Sequence, residues 1–331
     1  MHKHLILPIK EIEKLEIKSV YRDWLEKWYH DLEAQISNGD LAVSNCYQGI
    51  ITEIILYGKI KTDWLGVLDN YLTADDSMPL AYSETFGKRL YNFNAQWKQS
   101  PVHALYTHWW IRGLFHEDRK REELAEIVPT FIQSNGWIYN PNVSETQIRT
   151  RMKSELMMSL TMGAKILKHH NQLDKYKERL LATINGFSYT GYVSAEHFRT
   201  EAYKILDFKG NPLEDKYNDL IKDCVAVEGY SDFSIHSKVD DYMGTAKRTQ
   251  RDKPIDSPLI SMYVYYLSQS LNESSRELVK DKLRSYGQYL SENPMNIPAF
   301  RMRDINIPFG TDITPLEVIS SSYLVEMSKH D

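Results

Sequence analysis

The chain has 331 residues, 42% of them hydrophobic and 26% charged, with a formal net charge of −5 at pH 7. A chain of this length buries a core without disulfide or metal staples, and a small charge of mixed sign excludes a general nucleic-acid binder. Two cysteines, Cys46 and Cys224, make neither a disulfide framework nor a zinc site, so a reducing, cytoplasmic setting is expected.

The N-terminal stretch "MHKHLILPIKEIEKLEIK" has too short an apolar run before Pro8 for a signal peptide. No stretch approaches the roughly 20 apolar residues that span a bilayer, so no membrane partner is expected. Residues 9–37 instead carry an amphipathic, charged pattern at helical spacing. A more apolar helix starts near Ser44 in "AVSNCYQGIITEIILYG", and 62–73 returns to the amphipathic type. After a long loop, 74–99, "SPVHALYTHWW" opens at Ser100 with a capping serine and a proline just inside it, where the missing N–H is one the first turn cannot use. The charged segment 118–134 carries Pro129, which should kink or split it.

A helix from Ser144, the amphipathic 173–184, a helix from Ser194 and the amphipathic 213–227 come next. Beyond the loop 228–256, "SPLISMYVYYL" repeats the Ser-Pro start at Ser257, and 274–291 is amphipathic. After the loop 293–313, "TPLEVISSSYL" starts at Thr314.

The starts at Ser144 and Ser194 belong to a doubled phrase. "NGWIYNPNVSETQIRT" (135–150) and "NGFSYTGYVSAEHFRT" (185–200) agree at seven of sixteen positions without a gap. Each reads as an Asn-Gly turn, an aromatic loop and a serine cap, with Glu145 or Glu196 in the first helical turn. Six starts near 44, 100, 144, 194, 257 and 314 therefore alternate with charged outer partners, at the spacing of helical hairpins. The expected fold is all-α: one domain over 1–331, built of six hairpins closed into an (α/α)6 toroid, with an open α-solenoid as the alternative. The chain turns quickly after each capped helix, whereas the loops 74–99, 228–256 and 293–313 all precede one. They fall on one face, which is where a site is expected.

Phosphate-cradling, zinc-protease and nucleophile-elbow motifs are absent, so no metal or cofactor is assigned. Counting three residues from each cap gathers His103, Gln147, His197 and Glu317 at the loop-bearing mouth, with Tyr106 one turn deeper. Glu317 is the leading catalytic carboxylate, and His197 and His103 are the proton-transfer candidates. Trp137, Tyr139, Phe187, Tyr189 and Tyr192 form an aromatic rim. Gln147, Tyr106, Tyr139, Tyr189, Trp137, Arg199, Asp240 and Asp241 are the expected substrate contacts.

Arg149 and Arg199 fall toward the apolar sides of their helices. Each guanidinium suits the carbonyls of its own Asn-Gly-aromatic loop, with anion binding at a helix N-terminus as the alternative. Asp240 and Asp241 lie in "KVDDYMGTAKRTQRDKP", where a solvated charged loop competes with a Mg²⁺ or phosphate site. His169 and His170, in a short turn, are expected to be solvated.

The architecture is similar to one shared by glycoside hydrolases, polysaccharide lyases, prenyltransferases and terpene cyclases, and such a likeness is a weak guide to activity. The acid cluster and zinc ligands of the last two classes are not evident, which leaves sugar chemistry least contradicted. The first expectation is a metal-independent hydrolase or lyase acting on a polar, carbohydrate-like substrate in a central funnel. A glycoside hydrolase needs a second acid, and Glu196 or the Asp240/Asp241 loop would have to supply it. The second expectation is a non-catalytic helical-repeat protein that binds a peptide or protein partner through the same aromatic face, in an immunity, defence or scaffold role.

Overall fold

The computed structural model describes residues 12–38, 43–73, 101–129, 153–187, 189, 193–225, 258–294 and 315–329. Among these residues all regular structure is helical, with no strand. In chain order the helices are α1 (Ser19–Asn38), α2 (Val43–Tyr57), α3 (Trp64–Thr73), α4 (Pro101–Leu114), α5 (Asp118–Ala125) and α6 (Lys153–His169). They continue with α7 (Leu173–Gly186), α8 (Val193–Ile205), α9 (Glu214–Val225), α10 (Pro258–Ser268), α11 (Glu273–Glu292) and α12 (Pro315–Met327). Against expected starts near 44, 100, 194, 257 and 314, helices begin at Val43, Pro101, Val193, Pro258 and Pro315. The start near 144 and the loops 74–99 and 228–256 lie outside the described residues, as does 295–313 of the third long loop.

Two kinds of helix alternate. On α7, Leu173, Leu180 and Ile184 are buried while the charged residues face out. On α11 the buried stripe is Val279, Leu283, Tyr286 and Leu290. By contrast α12 buries residues all round, from Pro315 to Val325, as a helix covered on every side does. Asn272 caps α11, its side chain accepting from the Ser275 N–H at 2.9 Å. The third outer helix stops at Ala125. Pro129 lies four residues on, and a continued helix would drive its ring into the Ala125 carbonyl.

The more apolar helices pack on one another in chain order: α2 on α4, α4 on α6, α6 on α8, α8 on α10 and α10 on α12, and α12 also touches α2. The amphipathic set lies against them: α1 on α2, α3 on α2 and α4, α5 on α4, α7 on α6, α9 on α10, and α11 on α10 and α12. Tyr21 of α1 reaches Ser321 of α12 at 3.3 Å.

Three of the quick turns are built alike. After α4, α6 and α8 the chain enters the left-handed region at His116 (φ 58°), Asn171 (φ 56°) and Asp207 (φ 49°). The next N–H then bonds a carbonyl five residues back: Glu117 to Arg112 at 3.0 Å, Gln172 to Leu167 at 2.8 Å and Phe208 to Tyr203 at 2.9 Å. This Schellman geometry satisfies helix-end carbonyls that otherwise lack donors.

Gly287 lets α11 approach the backbone of α12 closely. A Cβ there would lie 2.1 Å from the Leu324 carbonyl oxygen, on the backbone of α12, where no side chain can swing away. Gly287→Ala should therefore destabilise the protein by about 2 kcal/mol, the overpacking cost exceeding the gain in helix propensity. A lowered urea midpoint with unchanged slope checks it.

Candidate functional site

Buried polar side chains are concentrated on the more apolar helices. Gln48 and Thr52 on α2, Thr107 and His108 on α4, Ser159 and Thr161 on α6, His197 and Thr200 on α8, Ser261 on α10 and Ser320 on α12 are all buried. Among the amphipathic helices only Ser275 joins them within the described residues. Some of these hydroxyls serve their own or a neighbouring helix: Thr161 Oγ1 bonds the Met157 carbonyl at 2.7 Å and the Phe198 carbonyl at 2.9 Å.

His197 is buried in an aromatic setting. Its ring stacks on Tyr263 of α10 at 5.7 Å and lies 6.0 Å from Tyr266 and 5.4 Å from Phe198. Burial, reinforced by the nearby cations of Lys204 and Lys165, lowers the imidazole pKa to about 3. It is therefore neutral at physiological pH. The unfolded chain takes up this proton near pH 6.5, so the group removes stability as pH falls from there toward 3.

Glu317 is buried too, and its Oε2 accepts from the Leu259 N–H at 3.0 Å. The carboxylate thus sits over the first turn of α10, where the unbonded N–H groups and the helix dipole favour negative charge. Glu317 and His197 touch α10 at Leu259 and Tyr263, four residues or about 6 Å of helix apart.

Lys165 was not among the expected site residues. It follows nine uncharged residues, Leu156 to Ala164, on an otherwise buried part of α6. Its ammonium nitrogen exposes less than 1 Å² and makes no hydrogen bond among the described residues. Burial brings its pKa down to about 7, with the Glu201 carboxylate pulling weakly the other way. Glu201 also pairs with Lys204 at 3.3 Å. A lone lysine inside an apolar run was the available signal, since burying an amine there costs more than burying a methionine.

Other expected site residues are placed elsewhere. The Arg199 guanidinium bonds the carbonyls of Ile184 (3.3 Å) and Phe187 (2.7 Å) and pairs with Glu196 at 3.0 Å. Tyr217 donates to the same Glu196 carboxylate at 2.8 Å. Arg199 thus ties the Asn-Gly-aromatic loop to its helix, and Glu196, weighed as a second acid, serves that tie toward the outer helix α9. Tyr189, expected on an aromatic rim, packs instead on α9: its ring lies 6.3 Å from Tyr217, and its hydroxyl donates to the Lys216 carbonyl at 3.5 Å. Tyr106 is buried beside Trp109 with ring centroids 5.6 Å apart, and burial raises its hydroxyl pKa.

His169 is exposed, as a short turn suggested, whereas His170 is partly covered. Trp109 Nε1 donates to His170 Nε2 at 2.9 Å, and both imidazoles meet the indole edge to face. Arg121 lies 4.2 Å over the same indole. The side chain of His103, together with Gln147, Trp137, Tyr139, Asp240 and Asp241, lies outside the described residues. Among those described, no three His, Cys, Asp or Glu side chains gather as a metal site would require, and no helix is long and apolar enough to cross a membrane.

The chain was compared with protein-family models, with curated proteins and with solved structures, and it matches none of them.

Proposed function

We propose that the six apolar helices and their amphipathic partners close into an (α/α)6 toroid. We further propose that its centre belongs to an enzyme acting on a polar, carbohydrate-like substrate by acid/base chemistry. The contact of α12 with α2 supports closure, since an open solenoid keeps its first and last hairpins apart. The observation that carries the functional reading is the concentration of buried polar side chains on the six facing helices. A bundle held together only by packing has no use for so many.

The roles within that centre differ from a simple Glu-His pair. Glu317, bonded to Leu259, positions the start of α10 and offers a negative wall. His197, neutral and weakly basic, suits an acceptor or stacking contact better than proton storage at pH 7. Lys165, with a pKa of about 7, is the group best matched to proton transfer near neutrality.

A second reading is a binding protein that recognises a peptide or protein through the loop-bearing face. The burial of Met158 and Tyr263 supports it, since apolar and aromatic side chains packed between the helices leave less room for a substrate.

A thermal-shift panel of mono- and oligosaccharides and sugar phosphates tests the first reading. At least one member, present at about 100 times its Kd, should raise the midpoint by about 4 °C and be consumed on incubation. A flat response to every sugar would remove the support for the enzyme and leave the binding reading.

A further inference from the structure

We infer that Lys165 is a reactive amine which forms an imine with small polar aldehydes or ketones at the α6–α8 face, as an open-chain sugar would present. The inference rests on the central-site reading above and names the substrate chemistry of that site.

Three observations converge on it. The nitrogen is shielded from water yet has no hydrogen-bond partner among the described residues, so its lone pair is not committed to the protein. Its neighbours one and two turns back on α6, Thr161, Met162 and Met158, are buried and uncharged, so a methionine would fill the place at lower cost. The residue as a whole is only part-buried, so its stem meets solvent and the shielded nitrogen lies within one side-chain length of the surface. Depression of the pKa to about 7 then leaves much of the amine neutral and nucleophilic at physiological pH, as in enzymes that use lysine to form Schiff bases.

The chemistry balances without a redox partner. The amine lone pair attacks the carbonyl carbon, and the C=O electron pair moves to oxygen, which takes a proton to give a carbinolamine. The nitrogen loses one proton and its lone pair expels the hydroxyl, which takes a second proton and leaves as water, and the iminium nitrogen then gives up its remaining proton. Amine and carbonyl thus become imine and water. Glu201, the acid whose field reaches Lys165, is the local group suited to move these protons.

The test is reductive trapping on the full chain at pH 7, with glyceraldehyde as probe and cyanoborohydride as the reductant of any imine. Peptide mass spectrometry then compares Lys165 with the exposed Lys175. Labelling of Lys165 at least tenfold faster than Lys175, in protein that keeps its native helical signal, supports the inference. Labelling no faster than Lys175, or only after unfolding in urea, overturns it. Lys165→Met provides the folded control. It should fold at least as well as the parent, because it removes a buried ammonium, and it should lose the fast label. A fast label that persists in this variant also overturns the assignment. The two proposals fail separately. A saccharide thermal shift without a fast label removes the amine chemistry but keeps the site, whereas a fast label without any saccharide shift keeps the amine and removes the carbohydrate reading.

Discussion

Replacing Arg199 with methionine should cost the fold about 4 kcal/mol, the range measured when one partner of a buried ion pair is removed. The guanidinium is 1% exposed and the Glu196 carboxylate 0%. The variant leaves that charge in the interior without its cation and strips the carbonyls of Ile184 and Phe187 of their donor. Tyr217 remains hydrogen-bonded to Glu196, but burial and that carboxylate already hold its hydroxyl pKa above the ordinary value, so it cannot take over the charge. The double variant Glu196→Leu/Arg199→Met separates ion-pair strength from the cost of an orphaned charge. It should recover most of the loss, because an apolar pair avoids the desolvation of both ions. Urea midpoints of the two single variants and the double complete the cycle. Equal losses in Arg199→Met and the double variant would show that the loop carbonyls, not the ion pair, carry the effect.

The second large effect is expected at Glu53. This carboxylate is fully buried at the turn between α2 and α3, where the N–H groups of Lys61 and Thr62 reach it at 2.9 Å and Trp64 Nε1 at 3.0 Å. The hydroxyls of Tyr29 and Thr62 also bond it. Burial alone would raise its pKa, but the bonds from Thr62, Tyr29, Trp64 and Lys61 outweigh burial and hold the carboxyl below its usual range. Glu53→Ala strands these donors together and should cost about 4 kcal/mol, at the upper end of single-site effects. Glu53→Gln keeps the shape but turns an NH₂ toward other donors, so a loss of about 2 kcal/mol is expected. The sign of the pH dependence follows from the lowered pKa. The carboxylate's contribution is complete above its unfolded value of about 4.3 and is lost as pH falls through the folded value. The gap between parent and Glu53→Gln, read from thermal melts, should therefore be full at neutral pH and narrow as pH falls below the unfolded value of about 4.3.

Elements of the fold were legible in the sequence to the extent that their signals were local. Ser-Pro and Thr-Pro starts, and the switch between apolar and charged periodicity, come from backbone and burial preferences that act within one or two turns. The Arg199 contacts were legible for the same reason, since the arginine and the carbonyls it binds lie 12 and 15 residues apart. The candidate site was less legible because its members depend on helix rotation and long-range packing. Glu196 and His197 are adjacent in sequence yet turn to different neighbours, Tyr217 of α9 and Tyr263 of α10. Counting from a cap cannot separate them when the cap position itself is uncertain by one residue. Lys165 was hidden differently. A lone lysine in an apolar run was a signal within the sequence, but that its amine makes no hydrogen bond among the described residues is a three-dimensional fact.

The contact between Tyr21 and Ser321 bears on how the chain assembles. The two residues are 300 positions apart, whereas consecutive apolar helices are separated by about 50. Loop-closure entropy grows only with the logarithm of length, so bringing these ends together costs about 1.5 kcal/mol more than docking sequential neighbours. The thermodynamic penalty is small, but the search is long. Local pairs such as α6 with α8 can form at any stage, while the seam between the first and last helices must wait for everything between them. Refolding is expected to end with that seam, and a protein halted before it would present the apolar sides of α2 and α12 to its surroundings.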